Sequence, residues 1–366
     1  MLSFAEALLS WYDRHGRHDL PWQHPRSPYR VWLSEVMLQQ TQVATVIPYF
    51  QRFVARFPDL ASLATANLDQ VLHLWAGLGY YRRARQLHAC AQLCLRDHGA
   101  TLPSELAALR ALPGIGPSTA GAIAAQAYGA RAAILDANVQ RVLSRQIALP
   151  TWPGTPANRA RLWQEAEARL PNQRLADYTQ ALMDLGSSVC RSRAPQCLLC
   201  PVSSSCSALK QGLVGQIPAK APSKIRPIRE RRWLVLRDQH GRWLLERRPP
   251  SGIWGGLWAF PEGLDELELQ NVASCVGAAD LQAHGDAGWL RHIFTHFELR
   301  ALPLLRLCIS QSYVADSALA WHTSEELAHL ALPSPIRRLI DSLHVGTTES
   351  SPALPNAAPP PNSGVL

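Results

Sequence analysis

Charged residues are scarce in this chain: Asp, Glu, Lys and Arg make up 17% of its 366 residues, against 47% hydrophobic. That balance excludes a disordered chain, a collagen-like repeat and a coiled coil, and no internal repeat is found. Long apolar runs are also missing. Nothing approaches the roughly 18 uninterrupted apolar residues of a spanning helix, and the N-terminal MLSFAEALLSWYDRHGR interrupts its only apolar stretch with Glu6. Neither a membrane span nor a secretory leader is expected. Without a leader, the eight cysteines are expected to stay reduced, as metal ligands or buried thiols rather than a disulfide framework. Acidic residues are the scarcer sign, 28 against 36 Lys plus Arg, for a net charge of +8. A polyanionic partner fits that excess, nucleic acid ahead of an anionic membrane surface. The length is that of two domains, or three at most, at roughly 100–200 residues each.

Residues 1–209 alternate helix-period apolar stretches with short Pro and Gly punctuation and show almost no period-2 alternation, so this part is expected to be all-helical. One helix is expected to run from Tyr29 through Gln42, and others over Arg82–Arg96, Ser118–Tyr128 and Val139–Ala148. Periodicity is lost over 210–230, a basic linker: Lys220–Arg232 holds six basic residues against Glu230 alone. Beyond it, RRWLVLRDQHGRWLLERRP predicts two strands joined around His240-Gly241, and HIFTHFELRALPLLRLCIS predicts further strand, so 231–344 is expected to be α+β. A last helix over Ser334–Leu343 precedes a Pro/Ser/Asn-rich tail, 345–366, expected to be disordered.

Cys190, Cys197, Cys200 and Cys206 form C-x6-C-x2-C-x5-C, four soft ligands within 17 residues. Zinc knuckles usually pair two short C-x2-4-C units, and only one is present here. A [4Fe–4S] cluster is therefore favoured, with zinc or unrelated buried thiols as lesser alternatives. Cys90, Cys94, Cys275 and Cys308 lie in apolar runs and are expected in the core.

Three further segments carry chemistry. LPGIGPSTA places Gly114 and Gly116 at the entrance of a helix opened by Pro117 and Ser118, where backbone N–H groups can hold a phosphate. Asp136, in ILDANVQRV, stands where a helix begins; it is either an ordinary N-cap or a charge facing a reaction centre. Glu35 has Val31, Trp32 and Leu38 at helical neighbour spacing. If it faces that apolar side, desolvation raises its pKa and keeps it protonated; otherwise it is an exposed glutamate or a partner of Arg30.

Segment by segment, WLSEVMLQQTQV, GLGYYRRARQL, LPGIGPSTAGAI and LDANVQRV resemble the MutY family of adenine DNA glycosylases, within the endonuclease III superfamily, and the resemblance spans nearly all of residues 1–210. It implies a helix-hairpin-helix glycosylase domain with an iron–sulfur loop that contacts DNA, followed by a Nudix-like α+β domain. It also implies a catalytic set: Glu35 protonates adenine at N7, Asp136 stabilises the sugar cation, and Asn138 orients the acidic pair. Gln40 and Tyr80 would fill the stack when adenine leaves it, assisted by Gln39 and Tyr81. Arg82, Arg83 and Arg85 follow directly and are candidate phosphate contacts.

Bifunctional members of the superfamily carry a lysine at the place of Ser118, which here is left as a backbone or pocket contact, so hydrolysis without strand nicking is expected. The Nudix box is missing from GGLWAFPEGLDELELQ, which has Glu262 and Glu266 without the Arg-Glu and Glu-Glu pairs. The second domain should recognise rather than hydrolyse. By resemblance, Phe294, Thr295 and His296 read 8-oxoguanine opposite adenine, with Thr295 standing where the family has serine. The implied partner is duplex DNA carrying an 8-oxoguanine:adenine or guanine:adenine pair. The chain is expected to act as a monomer in the cytoplasm, at the nucleoid, with the linker left for contacts with other repair proteins.

Overall fold

The computed structural model describes residues 2–222, 225–276, 278, 281–308 and 318–345, with 281–286 and 345 through their backbone alone. The chain divides into two compact units, Met1–Ile225 and Arg226–Leu366, a boundary inside the segment read as linker. Leu213, Val214 and Ile217 pack beside Cys206 and Ala208 on the first unit. The expected disordered tail lies, from residue 346 onward, outside the described residues. Among the described residues, no helix is long and apolar enough to cross a membrane.

The first unit is helical. Its Pro28–Leu38 helix starts from an N-cap at Ser27, whose hydroxyl accepts the Arg30 N–H at 3.3 Å, with proline at the first position. It buries Tyr29, Val31, Trp32, Leu33, Ser34, Val36 and Met37. The helix stops at Leu38 instead of continuing to Gln42: Gln40 takes a left-handed φ of 58°, and a new helix begins at Val43. The hairpin helix Pro117–Tyr128 packs against it. A Cβ on Gly121 would stand 2.0 Å from the Ala133 carbonyl oxygen. Glycine thus lets the extended segment before Asp136 cross that helix at close range. Cys90 and Cys94 lie in the core as expected.

The second unit is built on one sheet. Its strands are β1 (Ile228–Asp238), β2 (Trp243–Arg247), β3 (Trp258–Ala259), β4 (Glu262–Gly263), β5 (Leu281–Asp286), β6 (Leu290–Ile293), β7 (Glu298–Cys308) and β8 (Leu319–His322). The order is β3-β2-β1-β7-β5, with β4 on β1, β6 on β7 and β8 on β2. β1 and β7 run parallel from Ile228 opposite Glu298 to Asp238 opposite Cys308. Both faces of β1 are covered: Trp233 and Val235 join one core with Ile336, Leu339 and Ile340 of the last helix, Ser334–Val345. Leu234 and Leu236 join another with Leu269 and Ala273 of the Glu266–Cys275 helix. The β1–β2 turn closes where the sequence placed it, the Asp238 carboxylate accepting the His240 and Arg242 N–H groups. Cys308 is buried, but Cys275, expected in the core, is exposed. It ends its helix, whose buried positions are Leu269 and Ala273.

Candidate active site

Two carboxyl groups from different elements interact in the first unit. Glu35, on the Pro28–Leu38 helix, accepts an N–H from Gln126 of the hairpin helix at 3.4 Å. It keeps part of its surface open to solvent. Desolvation first, then the charge of Asp136, push its pKa up to about 8, with the Gln126 bond pulling the other way. The apolar reading of its helix face therefore holds, and the acid is mostly protonated at neutral pH. Asp136 is the N-cap of the Ala137–Gln146 helix and accepts the Val139 N–H at 2.7 Å. Burial raises its pKa too, opposed by the Val139 and Asn138 backbone N–H groups and the charge of Arg141. The N-cap reading of Asp136 is the one the backbone bonds bear out, and the same capping leaves its carboxylate near enough to raise the pKa of Glu35.

Asn138 supports Asp136 through its backbone, while its amide oxygen accepts from Arg141 at 2.8 Å. Arg141 also donates to the carbonyls of Gly186 at 2.6 Å and Cys190 at 2.8 Å. Gly186 lies against Asn138, where a Cβ would come within 2.7 Å of the asparagine Cβ. Ser118 sits just inside the hairpin helix, and its hydroxyl accepts the Leu135 N–H at 3.0 Å, fixing the residue before Asp136. In the hairpin loop Gly114 takes a φ of 78°, and Gly116 caps the helix with open space where a Cβ would point.

The two expected wedge turns share an unusual backbone: Gln40 and Tyr80 are non-glycine residues with φ of 58° and 51°. Such conformations are rare and costly, and they gather at functional sites. Tyr80 is 50% exposed and Gln40 is exposed, whereas Gln39 is half-buried and Tyr81 turns into the core. Arg82 is exposed. Arg83 is not a phosphate contact: it is buried, every hydrogen bond of its guanidinium goes inward to backbone carbonyls or Thr41, and desolvation pulls its pKa down to about 10. Sequence reasoning set Arg83 among the phosphate contacts and missed Gln126 altogether. The only trace of Gln126 is one amide in the otherwise small and apolar run GAIAAQAY.

The four cysteines line one cavity with Val142, Leu185, Val189 and Val202. Arg145, buried beneath it, donates to the Cys190 sulfur at 3.3 Å and to the Arg191 and Ile217 carbonyls. Burial, then the neighbouring Cys190, Cys206 and Cys197, push the Cys200 thiol up to about 11. Among the described residues, no three His, Cys, Asp or Glu side chains close on a point sized for a single ion.

In the second unit the Phe294–Phe297 turn joins β6 to β7, closed by the Phe294 N–H on the Phe297 carbonyl at 2.9 Å. Phe294 stacks on Phe297 at 4.6 Å and lies 5.6 Å from Trp254, so its ring is held in place. Thr295 and His296 stand exposed at the tip.

Residues 33–168 match the HhH-GPD superfamily of base excision DNA repair proteins, and residues 232–342 match a NUDIX domain. The adenine DNA glycosylase of Buchnera aphidicola subsp. Acyrthosiphon pisum is 32% identical over 349 residues, covering 93% of this chain and 97% of that protein. The mouse adenine DNA glycosylase is 33% identical over 416 residues, 95% of this chain and 80% of that protein. A thermostable thymine-DNA glycosylase superposes with a TM-score of 0.52 at 28% identity, over 57% of this chain and 95% of its own. With the helical unit, the hairpin and the Nudix-like sheet all in place, the chain belongs to the adenine DNA glycosylase family.

Proposed function

We propose that this protein hydrolyses the N-glycosidic bond of adenine paired with 8-oxoguanine, or with guanine, in duplex DNA. The observation that carries the reading is the Glu35–Asp136 pair: burial and the neighbouring Asp136 raise the Glu35 pKa, while capping N–H groups and Arg141 oppose the upward shift that burial gives Asp136. Glu35 donates its proton to N7 of the extruded base, so the electron pair of the N9–C1′ bond leaves with adenine. Asp136 stabilises the oxocarbenium ion left on the sugar. Water adds to C1′ and gives up a proton, leaving an abasic site. Asn138 and Ser118 act on Asp136 through the backbone on either side of it. No lysine precedes Lys210 in the chain, and Ser118 stands where a Schiff-base lysine would be needed, which supports hydrolysis without strand nicking.

The cavity lined by Cys190, Cys197, Cys200 and Cys206 suits a [4Fe–4S] cluster: four thiols, apolar walls, and Arg145 as a donor to one sulfur. Bound there, the cluster would supply a structural cross-link for the loop rather than a reaction step. Gly116 leaves room for a phosphate at the hairpin, Gly114 makes the turn against Gln86, and Arg82 stands beside the wedge turn. Gln40 and Tyr80 enter the stack, with Gln39 behind the first of them. Phe294, Thr295 and His296 meet the 8-oxoguanine. The decisive assay is single-turnover strand breakage on a duplex with one 8-oxoguanine:adenine pair, with and without hot alkali. Breaks only after alkali, lost in Glu35→Gln, support the reading; breaks without alkali, or a variant of undiminished rate, overturn it.

A further inference from the structure

Arg83 is 7% exposed, and no salt bridge to it is found among the described residues. A buried guanidinium without a counter-charge is costly unless its donors are satisfied. Here Nη1 and Nη2 both find acceptors, drawn from two separate turns, while the buried Nε has none. Nη1 donates to the carbonyls of Val36 at 2.8 Å, Met37 at 2.9 Å and Gln39 at 2.6 Å. Nη2 donates to the Thr41 hydroxyl at 3.3 Å and the carbonyls of Leu78 at 3.4 Å and Gly79 at 3.2 Å. The guanidinium carbon also lies 5.3 Å from the Trp75 ring centroid and 5.6 Å from that of Tyr80.

This geometry explains two facts at once. The Pro28–Leu38 helix ends without glycine or proline because Arg83 satisfies carbonyls of its last turn from outside. Gln40 and Tyr80 hold left-handed conformations because the residues preceding them, Gln39 and Gly79, are pinned by the same planar group. We propose that Arg83 is the positioning residue that joins the Gln39–Gln40 and Gly79–Tyr80 turns into one two-pronged wedge for extruding the target base. The role rests on the wedge reading of Gln40 and Tyr80 given above. Lysine cannot replace it, since one ammonium nitrogen cannot reach both sets of acceptors as a rigid fork does.

The test is a double-mutant cycle read by single-turnover excision, by duplex affinity, and by the fluorescence of 2-aminopurine placed at the target position, which brightens on unstacking. Arg83→Lys should melt cooperatively and bind the duplex within about threefold of wild type, yet lose about tenfold or more in excision rate together with most of the unstacking signal. Gln40→Ala and Tyr80→Ala should each slow excision in the wild-type background, but by no more than about twofold when added to Arg83→Lys. Full additivity, or an unstacking signal that survives Arg83→Lys, overturns the proposal. A role confined to stability would lower the melting temperature and the active fraction while leaving the signal of each folded molecule intact. Should Arg83→Lys fail to fold, Thr41→Val removes one acceptor of the guanidinium together with the hydroxyl's own 3.4 Å bond to the Gln39 carbonyl, whereas Thr41→Ser keeps both and serves as the control; effects of Thr41→Val that add fully in its cycle with Tyr80→Ala overturn the proposal, and effects that fall short of additivity support it. If neither Gln40→Ala nor Tyr80→Ala alters unstacking in the wild-type background, the wedge reading itself fails and takes this role with it.

Discussion

Glu35→Gln keeps the shape of the side chain and an acceptor for Gln126, and removes the proton that burial holds on the acid. Its effects on activity and on stability should have opposite signs. With the native pKa at about 8, above the ordinary value of 4.5, the folded protein binds a proton that the unfolded chain has released over the range between them. Stability that is fully present below about pH 4.5 is therefore lost as pH rises toward 8. By pH 7 the loss is about 3 kcal/mol, at about 1.4 kcal/mol for each pH unit above the unfolded value. Glutamine carries no such penalty. The variant should be more stable than wild type at pH 7 by an amount of that order, with the advantage vanishing near pH 4, while excision is abolished. Wild-type excision should fall about tenfold per pH unit above pH 8 as the acid deprotonates. Urea denaturation of both proteins at pH 4 and pH 7, beside a pH–rate profile, decides the matter. Equal stabilities at both pH values, or a rate flat through pH 9, would refute the assignment of the proton to Glu35.

Asp136→Asn retains an equally good N-cap. It should fold with a near wild-type melting curve and lose about a hundredfold or more in excision rate, so an active variant would reduce Asp136 to a cap. Gly121→Ala forces the Ala133 carbonyl away from the hairpin helix and should cost about 2–3 kcal/mol; thermal melting reads it, and an unchanged midpoint would mean that the crossing is loose. Thr295→Val removes the exposed hydroxyl at constant shape. The preference for 8-oxoguanine over guanine opposite adenine should then drop about tenfold, the value of one hydrogen bond. An unchanged ratio of single-turnover rates would remove Thr295 from base reading.

Local signals survived translation into structure where the physics is local. Asp136 capping its helix and the Asp238 turn depend on neighbours a few residues away, and each stands where the sequence indicated. The upward pKa shift of Glu35 was legible because its apolar neighbours lie on its own helix. The end of that helix was not legible, because the group that terminates it is Arg83, more than forty residues further on. For the same reason Arg83 reads as one more basic residue in YYRRAR, since sequence does not distinguish a guanidinium in solvent from one caged by carbonyls. Tyr81 is indistinguishable from Tyr80 until the Gly77–Gly79 turn decides which ring faces the core. Gln126 gains its meaning only from the crossing of two helices ninety-one positions apart in their contact.

The parallel pairing of β1 with β7 places a demand on synthesis. The central ladder of the second unit joins Ile228 to Glu298, so β1 leaves the ribosome long before its partner exists. Loop closure over that distance must precede the main reward of the sheet, which makes this unit a slow, late folder beside the locally connected helices of the first. Until Glu298–Cys308 arrives, β1 offers an unpaired edge with hydrophobic side chains on both faces. A chain cut between Asp238 and Glu298 therefore keeps the glycosylase half joined to an aggregation-prone strand, and a clean truncation has to remove β1 as well.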